Sequence, residues 1–237
     1  CIHSCQRLSY FTLKTGDLNI FNDYFNPSSL TILKLEADSI SIDQNRFSGF
    51  KSLRKLIIKS KSKITLSMGC FSKSVNLNAV NLTGNDIAIE NSCFSECSSL
   101  AEFNINDAIN VTLGKGIFMK CKHLWTIDIG VAQDLIAVEG CFVSSSFEEV
   151  VFQGNKIDIG EKCFNGCSTL KKFHIISAET VTLGIKAFEG CSNLEIVNVN
   201  TSSKLKILEK CFYKNQKLNS MELQSKDLIT GEYAFYK

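Results

Sequence analysis

Proline is almost missing from this 237-residue chain: Pro27 is the only one. No proline-rich linker or rigid spacer therefore divides the sequence. Long apolar runs are missing too, and without about 18 consecutive apolar residues no helix can cross a bilayer. The opening, Cys1-Ile-His-Ser-Cys5, has neither a Met nor a charged-then-apolar leader. The chain stops at Tyr236-Lys237, just past a recurring Phe. A segment of something longer is expected, with any leader or anchor outside it. Charge of one sign is lacking as well: 26 Lys and Arg stand against 24 Asp and Glu, for a net +2. The cations are scattered, with no basic stripe to grip a phosphate backbone, which argues against nucleic acid as partner. Histidine is scarce. His3, His123 and His174 fall far apart, none placed by pattern beside a nucleophile and an orienting carboxylate. The glycines follow turns rather than any phosphate-cradling spacing. Neither catalysis nor a cofactor is expected.

What the chain has is a repeat. Phe recurs at 25, 47, 71, 94, 118, 142, 164, 188, 212 and 235, at gaps of 22 to 24 residues. A period in the twenties marks a solenoid, in which each turn of chain stacks on the last. Seven and five residues before most anchors stand two apolar residues with a polar one between, as in Ile40 and Ile42, Val111 and Leu113, or Val181 and Leu183. This period of two is a short strand with one buried face. After the anchor comes Leu-x-x-apolar-x-apolar, as in Leu53, Leu56, Ile58 and Leu100, Phe103, Ile105, a second strand. The roughly ten residues around each Phe suit one or two helical or 3₁₀ turns. Behind Phe25 and Phe142 the apolar set comes one residue early and the next Phe follows at 22. A deletion confined to the turn keeps the strand register, as it must if core side chains are not to swing outward. The run Leu135-Ile136-Ala137-Val138 is the least regular, and a local irregularity is expected there.

One unit cannot bury its apolar face alone, whereas stacked units share a continuous core with parallel strands about 4.8 Å apart. Each buried Phe contributes on the order of 1.5 to 3 kcal/mol over exposure. The domain expectation is one unit. Residues 1–17 form an atypical N-terminal cap or a partial repeat, and 18–237 a single solenoid whose C-terminal end is truncated.

Eleven cysteines would invite a disulfide or metal reading, but their positions follow the repeat. Cys70, Cys93, Cys141, Cys163 and Cys211 directly precede an anchor, and Cys97, Cys121, Cys167 and Cys191 lie three after one. A reduced thiol serves there as a small hydrophobe. Cys1 and Cys5 lie outside the repeat and are the pair best placed for a disulfide. With His3 between them they also form a minimal Cys-x₃-Cys zinc pattern, without the second ligand pair a structural site needs.

The run Ile-Gly-x-x-Cys-Phe-x-Gly-Cys-Ser-x-Leu from Ile159 to Leu170, echoed from Leu183 to Leu194, resembles the BspA-like, treponemal type of leucine-rich repeat. That class has a repeat of about 23 residues containing Ala-Phe-x-x-Cys. The likeness covers nearly the whole chain, although the Pro common after the second strand in the family is absent here. The resemblance implies a right-handed, curved array of about ten parallel-stranded repeats that binds a protein ligand on its concave sheet. Family members are often cell-surface proteins, some adhering to host matrix proteins.

In such repeats the polar positions of the Leu-x-x-apolar-x-apolar strand face outward. The central column then reads Lys34, Ile57, Asn81, Asn104, Asp128, Val151, His174, Asn198 and Glu222. The middle coils present Glu102, Asn104, Asn106, Thr126, Asp128 and Glu149 together, with Gln153 and Lys172 beside them. Exposed apolar residues are the more informative, and Ile57, Val151, Ile176 and Ile196 fall on this face. The only Trp, Trp125, lies next to it, either as an interface anchor or as cover for the sheet edge. The candidate partner surface is Glu102, Asn104, Asn106, Trp125, Thr126, Asp128, Glu149, Val151, Gln153, Lys172 and His174. Asn81-Leu-Thr83, Asn110-Val-Thr112 and Asn200-Thr-Ser202 match the N-glycosylation pattern, no more often than this composition gives by chance. Three functional expectations stand side by side. The first is a non-catalytic cell-surface or secreted recognition domain, the second an intracellular scaffold recruiting a signalling partner, and the third an array with no discrete ligand.

Overall fold

The computed structural model describes residues 7–21 and 29–236. The first anchor Phe25, and the disulfide and zinc readings of Cys1, His3 and Cys5, lie outside the described residues. The strands in chain order are β1 (Tyr10–Lys14), β2 (Asp17–Ile20), β3 (Ile32–Ala37), β4 (Ser39–Ile42), β5 (Lys55–Ser60), β6 (Lys63–Leu66), β7 (Ala79–Thr83) and β8 (Asp86–Ile89). They continue as β9 (Glu102–Leu113), β10 (Thr126–Ala137), β11 (Glu149–Phe152), β12 (Lys156–Ile159), β13 (Lys172–Leu183), β14 (Ile196–Ile207), β15 (Ser220–Gln224) and β16 (Asp227–Thr230). Each rung carries two strand segments in succession, and the described pairings are all parallel. The first segments stack in one column and the second in another. In β9, β10, β13 and β14 the two merge into a single 12-residue strand across the bend. The chain is a parallel β-solenoid.

The alternation dictates what is inside. β3 reads Leu33, Leu35 and Ala37 buried and β6 Ile64 and Leu66 buried, with their neighbours turned outward. The Phe anchors fill the third side. From Phe47 to Phe235 the consecutive rings lie 4.8 to 6.2 Å apart and within 18° of parallel. Phe103 and Phe173, from the strand column, meet this stack edge-on at 4.7 Å from Phe118 and Phe188, a favoured aromatic geometry.

The expected helical turns around Phe are not there: among the described residues these segments are turns without helix. The reason lies in two left-handed residues per rung. Two before the anchor stand Asn45, Gly69, Ser92, Gly116, Gly140, Lys162, Lys186, Lys210 and Tyr233, and two after it Gly49, Lys73, Glu96, Lys120, Ser144, Gly166, Gly190 and Lys214, all at positive φ. A right-handed helix cannot pass through either. Backbone amides instead donate across the stack, as Phe71 N does to Cys93 O at 2.9 Å and Phe164 N to Ala187 O at 2.7 Å. Where a side chain occupies the left-handed position it costs about 1 to 2 kcal/mol that Gly avoids. Lys73→Gly, at φ 58°, is therefore expected to stabilise the array by about 0.5 kcal/mol once the entropy of Gly is counted. A urea midpoint at or below that of the parent would contradict this.

The cysteines have a local role. Cys97, Cys121, Cys167 and Cys191 each donate an S–H to the carbonyl of the anchor Phe one rung back, Phe71, Phe94, Phe142 and Phe164, at 3.1 to 3.2 Å. Ser74 makes the same bond to Phe47 O at 3.1 Å. At these five rungs the slot holds a small donor, whereas Ser145 and Asn215 occupy it with buried polar atoms that lack a hydrogen-bond partner. Burial pushes the Cys121 and Cys167 thiols up to about 12, against a smaller downward pull from the backbone of Cys97 on the first and of Ser145 and Ser144 on the second. The nine cysteines described as free are all buried.

The irregularity expected at Leu135–Val138 falls elsewhere. Leu135, Ile136 and Ala137 pair normally with Val111, Thr112 and Leu113 on one side and with Ile157, Asp158 and Ile159 on the other. The break is one segment earlier, where the first half of β10 and β11 form no ladder: β10 pairs with β9 and β12, and β11 with β13.

A candidate partner-binding face and a rift in its sheet

The outward residues of the first column stand in register. Lys34, Ile57, Asn81, Asn104 and Asp128 are successive Cα partners, and Val151, His174, Asn198 and Glu222 are a second such series. Asp128 and Val151 end the two series on either side of the missing ladder. Of the candidate surface, Glu102, Asn106, Trp125, Thr126, Asp128, Glu149, Val151, Gln153 and Lys172 are exposed, while Asn104 and His174 are half-buried. Asn104 Nδ2 donates to Asn81 Oδ1 at 3.0 Å, tying two rungs together. His174 Nε2 lies 3.7 Å from Glu149 Oε1, and Lys172 Nζ 3.9 Å from the other oxygen of that carboxylate. Lys171 holds Glu148 at 3.1 Å. Neither Glu102 nor Asp128 has a cation among these pairs.

Trp125, Val151 and Ile176 are 54%, 39% and 56% exposed, whereas Ile57 and Ile196 are half-buried. The first three line one groove of about 400 Å³ with Thr126, Ile127, Asp128, Ile129, Gly130, Glu148, Glu149, Phe152 and Gln153. It runs along the rift. Parallel ladders turn the N–H and C=O of alternate residues toward the same neighbour. Thr126 N donates to Ala101 O at 3.3 Å, so Ile127 and Ile129 aim their backbone groups at the rift. Lys172 N donates to Glu148 O at 3.1 Å, so Glu149 and Val151 aim theirs there from the other lip. The rift closes at both ends, where Ser146 Oγ donates to Lys122 O at 2.7 Å and Asn155 N to Gln133 O at 2.6 Å. Ile127 shows the consequence: its counterparts on the interior rungs, Leu33, Leu56, Val80, Phe103, Val150, Phe173 and Val197, are buried, and it is only partly so, like Phe11 and Met221 on the terminal rungs. The groove floor is core.

Ile127, Ile129 and Phe152 stand at inward positions of the period of two, and Glu148 and Gly130 lie outside the candidate surface. The available signal was the 22-residue gap from Phe142 to Phe164. Four cations of the same face, Lys14, Lys34, Lys55 and Lys59, also stand together over β1, β3 and β5, with Lys14 Nζ 2.9 Å from Glu36. Lys14 foremost, with Lys34 and Lys59, holds the Glu36 carboxyl below the usual range. The face is thus basic at one end and acidic in the middle. His123 sits elsewhere, its Nδ1 2.6 Å from Ser98 O and its ring 6.3 Å from that of Trp125. Among the described residues no helix is long and apolar enough to cross a membrane, and no His, Cys, Asp and Glu cluster could hold a metal ion.

A parallel solenoid of 22- to 24-residue rungs, most with a Leu-x-x-apolar-x-apolar strand, defines a leucine-rich-repeat protein. The chain belongs to the BspA type leucine-rich repeat region family, which matches it in six copies over residues 18–138 and 135–237. A search of curated proteins returns no match. Two solved structures are similar. A leucine-rich repeat protein from Bacteroides ovatus has 20% identity and a TM-score of 0.48, over 89% of this chain and 50% of that one. A leucine rich cell surface protein from Faecalibacterium prausnitzii has 13% identity and a TM-score of 0.37, over 92% of this chain and 90% of that one. The chain spans half the length of the Bacteroides protein.

Proposed function

We propose that this is a non-catalytic recognition domain, displayed at a cell surface or secreted, that binds a protein ligand on the outward face of its first strand column. The observation that carries the reading is the cluster of Trp125, Val151 and Ile176, exposed side by side around one groove. Large apolar side chains around a polar-rimmed groove mark an interaction site, and Trp is enriched among interface hot spots. The description of one similar protein as a cell surface protein supports the location, and the family's use in adhesion supports a host matrix protein as ligand. The test is binding of the purified chain to immobilised laminin, fibronectin and collagen. Saturable binding with Kd in the micromolar range or tighter is expected for at least one. Failure on all three would overturn the matrix reading.

A second reading, an intracellular scaffold that recruits a signalling partner, is favoured by the nine buried free thiols. Intact mass of the natively produced protein separates the two. Added hexose, or fewer than the eleven thiols of the sequence, places the chain in the secretory path. An unmodified mass with all eleven titratable favours the scaffold.

A further inference from the structure

We infer that the rift between β10 and β11 is a slot for an extended peptide segment of the partner. The segment would insert one large apolar side chain and carry a Lys or Arg near it. This rests on the strand-face reading above and says what that face takes.

Three observations point to this occupant. The first is the backbone. Two parallel strand edges, at Ile127 and Ile129 on one side and Glu149 and Val151 on the other, turn their N–H and C=O groups toward each other without a ladder between them. Unpaired strand edges are templates for another strand, and an extended backbone is the ligand whose donors and acceptors alternate to match. The rift runs about five residues, or about 16 Å at strand rise. The groove along it has a volume of about 400 Å³. The second is the floor. Ile127, Ile129 and Phe152 line the groove from the core side, and Ile127 is opened there while its counterparts on the other interior rungs are buried. An apolar anchor entering at this point joins the existing core instead of covering surface. The third is charge. No cation lines the groove. Glu148 and Glu149 are met from the far side by Lys171, Lys172 and His174, which leaves Asp128 on the groove wall, with Glu102 one rung away, to attract a cation of the ligand.

The probe is a displayed library of random seven-residue peptides, selected on the intact chain. The enriched peptides are then made synthetically and mapped by amide hydrogen exchange. The expected consensus is one Phe, Leu, Ile or Met with a Lys or Arg within two residues. Binding should slow exchange at Ile127, Ile129, Glu149 and Val151. N-methylation at alternate peptide residues should weaken binding at least tenfold, because it deletes the donors the lips require. Asp128→Asn should weaken the basic peptides about fivefold, leaving Lys- and Arg-free analogues unaffected. Absence of any consensus, or tolerance of N-methylation at every position, overturns the proposal. Protection confined to other first-column strands such as β5 or β14 also overturns it while leaving the strand-face reading intact. Protection confined to the Phe turns overturns both.

Discussion

Raising the pH from 8 to 10 is expected to remove several kcal/mol of stability. The thiols of Cys70, Cys97, Cys121, Cys141, Cys167, Cys191 and Cys211 are all pushed up, in each case first by burial. Stacked neighbours add to this: Cys93 raises Cys70, Cys121 raises Cys97, Cys163 raises Cys141 and Cys167 raises Cys191. The folded state keeps these protons while the unfolded chain releases them above its ordinary thiol value of about 8.5 to 9. Their stabilising effect is fully present below that value and is lost as the pH rises through the folded values, which for Cys121 and Cys167 means about 12. At pH 10 each of these seven thiols favours the unfolded state by roughly 1.5 kcal/mol. Summed over the array, this rivals the about 5 to 15 kcal/mol of a typical domain. Urea titrations at pH 8, 9 and 10 measure it. Cys121→Ser should flatten the slope by about one seventh, since Ser74 shows that a hydroxyl satisfies the same carbonyl. A midpoint that does not move by pH 10 would contradict the burial of the thiols.

Phe164→Ala is expected to cost about 3 to 5 kcal/mol. Its ring is stacked between Phe142 at 4.8 Å and Phe188 at 5.1 Å and meets Phe173 edge-on at 5.7 Å. Rigid strands from both columns surround it, so the cavity cannot collapse. In a linear array, stability is the sum of rung and neighbour terms, and weakening one interior contact uncouples the halves on either side. Trp125 fluorescence and far-UV circular dichroism, expected to coincide in the parent, should separate in this variant. Phe235→Ala is the control. That ring is 42% exposed and among the described rings it meets that of Phe212, at 6.0 Å, so its loss should cost about 1 kcal/mol. Equal losses at the two positions would contradict the stacked-ring account.

The strands, their register and the inward set could be read from the sequence because a side chain alternates faces every residue, and a slip of one inverts the whole set. Hence Lys34, Ile57, Asn81, Asn104 and Asp128 fall in one line both by spacing and in space. The turns could not be read in the same way. A ten-residue loop around a Phe is compatible with a helical turn, and residues such as Lys73, Lys162 and Lys210 do not announce positive φ. Only the Gly residues at equivalent positions, Gly69, Gly140 and Gly166 among them, hinted at it. The rift was least accessible, because hydrogen bonding between rungs leaves no mark on residue type. Its one trace, the 22-residue gap behind Phe142, recurs behind Phe25, yet β1 and β3 there pair along five residues without a break. Spacing alone therefore did not locate it.

The central claim is that recognition belongs to the strand face and not to the turns. The direct measurement compares Kd for a matrix protein or peptide that binds the parent chain with Kd for two triple variants. One reverses Glu102, Asp128 and Glu149 to Lys on the strand face. The other reverses Glu96, Glu139 and Glu161 to Lys on the turn side, where Glu96 and Glu139 pair with Lys120 and Lys115. The account predicts at least a tenfold loss in the first, about 1.4 kcal/mol or more, and a change within twofold in the second. The opposite pattern, or equal losses in both, would contradict it.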